Sequence, residues 1–522
     1  MTKAQGPMPK EAPNLNVPGA KVLESPHHTA SATSGSKRRS WNVNLDLGLG
    51  RWSLVVLSVV LLLAGCAVGP NYKRPPVSTP PNFRSATTPA TTNSLADLPW
   101  WQMFQDDTLQ GLIRTALTNN YDVRVAISRV EQSRAIAAQN RAAFFPQLGY
   151  QGSLSRGRNS FQNSLFFTGG NTTNFVAVAG NVSWEVDLWG RLRRLNESAR
   201  AQYLASQEAR RDVMTLVISE IAQAYFQLLA LDQELQIAAN TTNSFGESLR
   251  IFSERFQSGI VSTLETSAAE AALASAAASV PDLERQIVLQ ENQVSYLVGL
   301  NPGPVPRHHA LLQQLLPPEV PTGLPSALLE RRPDIREAEQ SLRAANAQVG
   351  VAVANFFPQL SLTSVFGRVS PELSAFTAGT ANAWNIGTSL TGPIFQGGRL
   401  VGQYRQAQAA RQQFQFQYQA TVLTALQEVS NALIAHEKLA EVRVQQARAV
   451  AAYETAVRVA TQRYAQGLAS YYEVLQEQQL LFPAQNSLTQ TELNQRLAIV
   501  QLYRALGGGW ETAPQPAAQS KP

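Results

Sequence analysis

Few side chains in this 522-residue chain have the neighbours that covalent or acid–base chemistry needs. The five histidines are His27, His28, His308, His309 and His436: one pair near the start, one pair in a proline-rich connector, and one alone in a helical stretch. No serine or cysteine stands in a histidine-paired motif, no phosphate loop occurs, and the four methionines do not cluster. Nucleophilic catalysis and a soft-metal relay therefore lack their parts, and the sequence predicts no enzyme, no cofactor and no metal site. The single cysteine excludes an internal disulfide framework, but its setting gives it another chemistry. Cys66 follows Leu63-Ala64-Gly65 at the end of the apolar run 54–63, with Lys37, Arg38, Arg39 and Arg51 ahead of it. A basic region, a short apolar region and small residues describe a secretory signal. The run is also shorter than the ~20 apolar residues that span a bilayer. Leu-Ala-Gly-Cys matches a bacterial lipobox, which makes Cys66 the acylated first residue of a mature chain. An ordinary signal peptide with an incidental cysteine is the other reading. Ala67, where Asp resembles an inner-membrane retention signal, points to the outer membrane. Residues 1–65 are expected to be leader and signal, either with a disordered extension or from a misassigned start. The stretch 36–41 only loosely resembles a twin-arginine signal.

Charge sits at a few fixed spacings. The formal net charge is +6, and the first 65 residues carry +4 of it, so the remainder leaves no nucleic-acid footprint. Arg255-Phe-Gln-Ser-Gly259 and Arg463-Tyr-Ala-Gln-Gly467 are copies of one turn, each followed by a serine (Ser262, Ser470) and an acid (Glu265, Glu473). A second acidic pair, Glu185 and Asp187, lies just ahead of Arg191 and Arg193.

These spacings belong to a duplication. Phe-Phe-Pro-Gln-Leu occurs at 144–148 and at 356–360, an offset of 212 that also aligns Asp122 and Arg124 with Asp334 and Arg336. Further on the offset is 208, aligning Gly190-Arg191 with Gly398-Arg399 and the whole first turn with the second. One long unit is used twice: repeat 1 over 100–303 and repeat 2 over 331–510, joined by a Pro-rich connector at 304–330. Residues 66–99 are expected to be lipid anchor and extended linker, and 511–522 a flexible tail.

Within each repeat the hydrophobic period changes. After each Phe-Phe-Pro it becomes two, predicting strands at about 146–156, 174–188, 358–367 and 383–395. Strands of ~9–11 residues with one apolar and one polar face fit a membrane barrel, or a pair of half-buried hairpins on a soluble domain. Between them run proline-free stretches, 192–256 and 400–464, each roughly 100 Å long as helix. Return helices are expected over 264–298 and 473–506, with Pro281 and Pro483 as candidate kinks. Helices this long must pack lengthwise or line something wet. Four strands cannot close a barrel, since closed membrane barrels have at least about eight. Copies must therefore associate, as a dimer of eight strands or a trimer of twelve.

In this order the motifs resemble the TolC-like outer-membrane efflux factors, the lipoprotein branch with OprM and the NodT-type proteins. They are Leu-Ala-Gly-Cys66-Ala-Val-Gly-Pro-Asn-Tyr72, Trp100-Trp101-x-x-Phe104, both Phe-Phe-Pro-Gln-Leu copies, Trp184-Glu-Val-Asp187-Leu-Trp-Gly-Arg191, Arg331-Arg-Pro-Asp334-Ile335-Arg336 and Gly392-Pro-Ile-Phe-Gln-Gly-Gly-Arg399. The resemblance covers about 66–510. It implies a mixed α and β membrane protein: a homotrimer whose 12-stranded outer-membrane barrel, four strands per chain, continues as a long periplasmic α-helical barrel. It further implies a passive exit duct for small molecules in a tripartite efflux pump. Its partners would be a periplasmic adaptor, an inner-membrane transporter of the RND type and the lipid bilayer, with no nucleic acid. A type I protein-secretion duct shares the fold and is the alternative; a purely structural coiled-coil lipoprotein would leave the strands unexplained.

The resemblance also implies residue roles. The turns become periplasmic tips, with Arg255, Gly259, Ser262, Arg463, Gly467 and Ser470 as adaptor contacts. Glu265, Tyr464 and Glu473 become the periplasmic gate, although both acids also suit a solvated first helical turn. Ala469 and Gln476 depart from the TolC pattern, where a basic and a second acidic residue stand. Glu185 and Asp187 face the lumen along with Asn181 and Ser183, or sit at the strand-to-helix junction paired with Arg191 or Arg193; their place near the strand end favours the junction.

Overall fold

The computed structural model describes residues 67–84, 93–158, 172–314 and 321–510. The leader, Cys66 and the tail at 511–522 lie outside the described residues. After a single turn at Trp100–Met103, helices α1 (Asp107–Asn119) and α2 (Tyr121–Ala142) lead to strands β1 (Gln147–Arg158) and β2 (Thr172–Val186). Helix α3 (Arg191–Gln257) and its return α4 (Thr263–Val298) complete repeat 1. Repeat 2 follows the same plan: α5 (Pro333–Ala354), β3 (Gln359–Ser370), β4 (Asn382–Thr391), α6 (Arg399–Ala465) and α7 (Tyr471–Ala505).

The two Phe-Phe-Pro words end α2 and α5 alike. Phe144 and Phe145 donate three residues back, to Arg141 and Ala142, and Phe356 and Phe357 donate to Val353 and Ala354. Proline then removes the next donor and the chain leaves as a strand. Among the described residues the strands form one antiparallel sheet in the order β1-β2-β3-β4, with β1 and β4 as edges. Its register sets Tyr150, Gly180, Phe366 and Trp384 in one row, and Leu148, Val182, Ser364 and Ile386 in the next. Tyr150 is 91% exposed and Trp384 73%. The opposite face carries Gln151, Ser153, Asn181, Ser183, Thr363, Asn385 and Ser389. β4 ends at Thr391, short of the expected 395, because Pro393 cannot donate to a ladder.

Helices α3 and α6 are 67 residues each, about 100 Å. Both start at a left-handed glycine, Gly190 (φ 78°) and Gly398 (φ 83°). Pro281 and Pro483 lie inside α4 and α7, and each helix continues past its proline. The main core forms where α1, α3, α4, α5, α6 and α7 meet, around Trp100, Phe104, Tyr225, Phe226, Tyr418 and Tyr503. The tryptophan motif thus builds core. Asp106, two residues beyond it, caps α1 by accepting from the amides of Thr108 and Leu109, at 2.7 and 3.0 Å, and also accepts from the Tyr225 hydroxyl. The Arg-Arg-Pro-Asp motif locks the start of repeat 2: buried Arg332 pairs with Asp334 and Glu428 and donates to the Ala505 carbonyl at 2.9 Å.

Candidate functional site: the paired turns and the strand-to-helix junction

At the far end of the long helices the two copies of the turn adopt one backbone. Gly259 has φ 71° and Gly467 φ 74°. Gly259 N–H donates to Phe256 and Ile260 N–H to Arg255; Gly467 N–H donates to Tyr464 and Leu468 N–H to Arg463, all at 2.9 Å. This is the glycine-terminated Schellman cap, which satisfies the last helical carbonyls and turns the chain. Ile260 and Leu468, the residues after each glycine, are exposed, as are Leu264 and Tyr472.

The side chains break the symmetry. The Glu265 carboxylate accepts from the Ser262 amide at 2.7 Å and from its hydroxyl at 3.2 Å, a capping box that starts α4. Glu473, at the equivalent position, instead lies 3.6 Å from the Arg463 guanidinium across its own turn. The Arg255 guanidinium sits 4.9 Å from the centre of the Tyr464 ring, joining turn one to turn two by a cation–π contact. Tyr464 packs edge-on against Tyr471 with ring centres 4.7 Å apart, and Tyr471 against Phe252 at 5.0 Å. The buried Tyr471 hydroxyl shares a 2.8 Å hydrogen bond with Ser248, and that burial pushes its phenol pKa upward. Arg255, expected among the adaptor contacts, is half-buried and lies over the Tyr464 ring. Tyr471, Ser248 and Phe252 were missed, although Tyr471 directly follows Ser470 and replaces Thr263 of the first copy.

The second acidic pair lies at the other end of α3, at the junction. Arg191 Nε donates to Glu185 at 2.9 Å and its Nη2 to the other carboxylate oxygen, a bidentate pair. Asp187 has left β2. Its carboxylate accepts from the amides of Leu192 (3.1 Å) and Arg193 (2.9 Å), capping α3, and from Arg193 Nε at 3.2 Å. Each acid thus holds an arginine of the first helical turn. Two tryptophans tie this region to the repeated words: Trp184 Nε1 donates to the Phe144 carbonyl at 3.0 Å and Trp189 Nε1 to the Pro358 carbonyl at 2.7 Å. Trp189 also stacks on Phe357, centres 4.7 Å apart. His308 is engaged structurally, through a 2.7 Å hydrogen bond to Thr108.

Known proteins share this sequence and this architecture. The pattern of the family described as Outer membrane efflux protein matches residues 112–300 and 324–508. The toluene efflux pump outer membrane protein TtgC of Pseudomonas putida is 35% identical over 464 residues, 88% of this chain and 96% of that protein. The cation efflux system protein CusC of Escherichia coli is 31% identical over 459 residues, covering 87% of this chain and 99% of its own. Among solved structures, the outer-membrane channel OprN superposes with a TM-score of 0.80 at 30% identity, over 85% of this chain and 100% of that one. The open state of the Neisseria gonorrhoeae MtrE outer membrane channel gives 0.77 at 29%, over 85% and 99%. Both repeats match, the four-stranded sheet and the long helices recur in channels of the outer membrane, and the chain belongs to the outer membrane efflux protein family.

Proposed function

We propose that three copies of this efflux channel close their sheets edge to edge into a twelve-stranded barrel, which their helices continue as a periplasmic tube. One observation carries the reading: a four-stranded sheet with two open edges, an apolar row on one face and a polar row on the other. Inside lipid every backbone group needs a partner, so such a sheet must be closed by copies of itself. β1 and β4 run in opposite directions, so β4 of one copy meets β1 of the next as an antiparallel pair. The row of Tyr150, Phe366 and Trp384 then faces lipid, and Asn181, Ser183 and Asn385 face the lumen.

In this arrangement the turns are the periplasmic tips. The exposed Ile260 and Leu468 offer apolar contacts for the hairpin of a periplasmic adaptor, beside Ser262, Arg463 and Ser470. The adaptor links the tube to an inner-membrane transporter of the RND type. Glu473 is the better placed of the two acids for a charged ring at the aperture, because Glu265 is engaged by its own helix start. Tyr464 and Arg255 hold the two turns together behind it. Relatives named for toluene and for cations share this fold, which suits a duct that takes its cargo from the transporter rather than selecting it. A photo-crosslinking side chain at Leu468 in native cells should trap a periplasmic adaptor, identified by mass spectrometry. A chain present in the outer-membrane fraction that gives no such adduct would contradict the docking.

A further inference from the structure

We propose that Arg156 and Arg368 form a phosphate-binding belt, two sites per chain, that holds the phosphorylated headgroups of outer-leaflet lipids. The belt rests on the reading that the row of Tyr150, Phe366 and Trp384 faces lipid. The two arginines are copies of one position. The offset of 212 that superposes the Phe-Phe-Pro-Gln-Leu words carries Arg156 onto Arg368, and no residue between Leu148 and Arg156 matches its counterpart. Each arginine lies nine residues beyond the first residue of its strand, Gln147 of β1 or Gln359 of β3. At ~3.3 Å per residue that is roughly 30 Å of strand, and a tilt of about 40° turns it into about 23 Å of height. The apolar band of an outer-membrane barrel is about 25 Å tall, so both residues come to its far edge.

The register fixes the face. Arg368 pairs with Val178, and Val178 with Gly152. Alternation carries that face to Tyr150, Leu154 and Arg156 on β1 and to Phe366 on β3. Both arginines therefore stand on the apolar side of the sheet. Below them that side carries no charge: none falls at the alternate positions from Leu148 to Leu154 or from Leu360 to Phe366, nor along the same face of β2 and β4. A lipid-facing charge is costly at mid-membrane and nearly free at the boundary, where a guanidinium fork also matches phosphate oxygens. Arg156 is exposed. Arg368 gives Nη1–H to the Phe376 carbonyl at 3.2 Å, which leaves most of its five donors for a ligand. Neighbouring segments do not cancel the charge. Residues 159–171, between β1 and β2, contain no charged side chain, and Glu372, beyond β3, accepts from the Ser374 hydroxyl at 3.2 Å. Guarding an open sheet edge is the other use of such charges. It would suit Arg156 on β1, but Arg368 sits on β3, between β2 and β4.

Native mass spectrometry of the intact assembly in detergent micelles tests this with two probes: an acylated glucosamine disaccharide bearing two phosphates (lipid A), and the same lipid dephosphorylated. Wild type should hold the phosphorylated form at least about tenfold more tightly, and the double change Arg156→Gln, Arg368→Gln should lose most of that preference. Arg156→Gln alone should lose about threefold and serves if the double variant does not assemble. Equal binding of the two lipids, or assembled variants that keep the full preference, would overturn the belt. A fluorophore on Phe366→Cys in membranes separates this from the reading beneath it. Quenching by nitroxide-bearing acyl chains is expected of a face in lipid, and a missing phosphate preference then counts against the arginines alone. A label that those chains do not quench, in a protein resident in the outer membrane, would overturn the face and the belt with it.

Discussion

Glu265 and Glu473 occupy one position of the repeated unit and do different work. Glu265 closes a capping box on Ser262, whereas Glu473 reaches back to Arg463 and leaves its own helix start without that bond. The difference traces to the neighbours: Thr263 follows the first serine, but Tyr471 follows the second and drives its ring into the cluster with Phe252 and Tyr464. Removing charge at Glu473 should raise leak through the resting channel and weaken block by divalent cations, since a ring of like charges attracts cations to a narrow aperture. Single-channel recording of a Glu473→Ala assembly measures both; unchanged conductance and unchanged cation sensitivity would remove Glu473 from the gate. Aligning the repeats in sequence brings these residues to equivalent places in the two turns. It could not pair them, because Arg255 and Tyr464 are 209 positions apart and nothing local reports that a guanidinium lies over that ring.

At the scale of elements the sequence was more legible. The long helices fall within a residue or two of the expected bounds, because proline-free stretches between glycines leave the backbone few alternatives. Strands appeared through their period of two; β2 stops at Val186 rather than 188, and β4 stops at Thr391 rather than 395, where apolar residues had been counted past a proline. Charges inside the helix bundle were not legible, as they depend on which faces meet. Glu337 on α5 is pushed up to about 7, first by burial and then by the carboxylates of Asp212 and Asp334. Its folded pKa lies above the unfolded value, so its favourable contribution is fully present below about 4.5 and is lost as pH rises through about 7. Glu337→Gln should therefore raise stability at pH 8 by about 1–3 kcal/mol and change little at pH 4. Thermal unfolding of both proteins across that range checks the sign, and a variant equally stabilised at both pH values would show that charge at this site is not the cause.

At the scale of the whole molecule, duplication is the organising fact. Each Phe-Phe-Pro-Gln-Leu ends a helix, begins a strand and accepts a hydrogen bond from a tryptophan of repeat 1, Phe144 from Trp184 and Pro358 from Trp189. The N-terminal segment was the part least visible beforehand. Pro, Asn and Thr give 66–99 the composition of a linker, and only the folded protein brings Arg194 and Gly350 to its first residues. The sheet's two open edges make the central claim testable without a channel assay. Single cysteines along 384–390 of β4, combined with single cysteines along 148–154 of β1, can be oxidised in membranes and resolved on a denaturing gel. A ladder that climbs from one to two to three copies and stops there is the result expected of a closed twelve-stranded ring. A ladder that stops at two, runs past three, or never forms while the chain is in the outer membrane would contradict it.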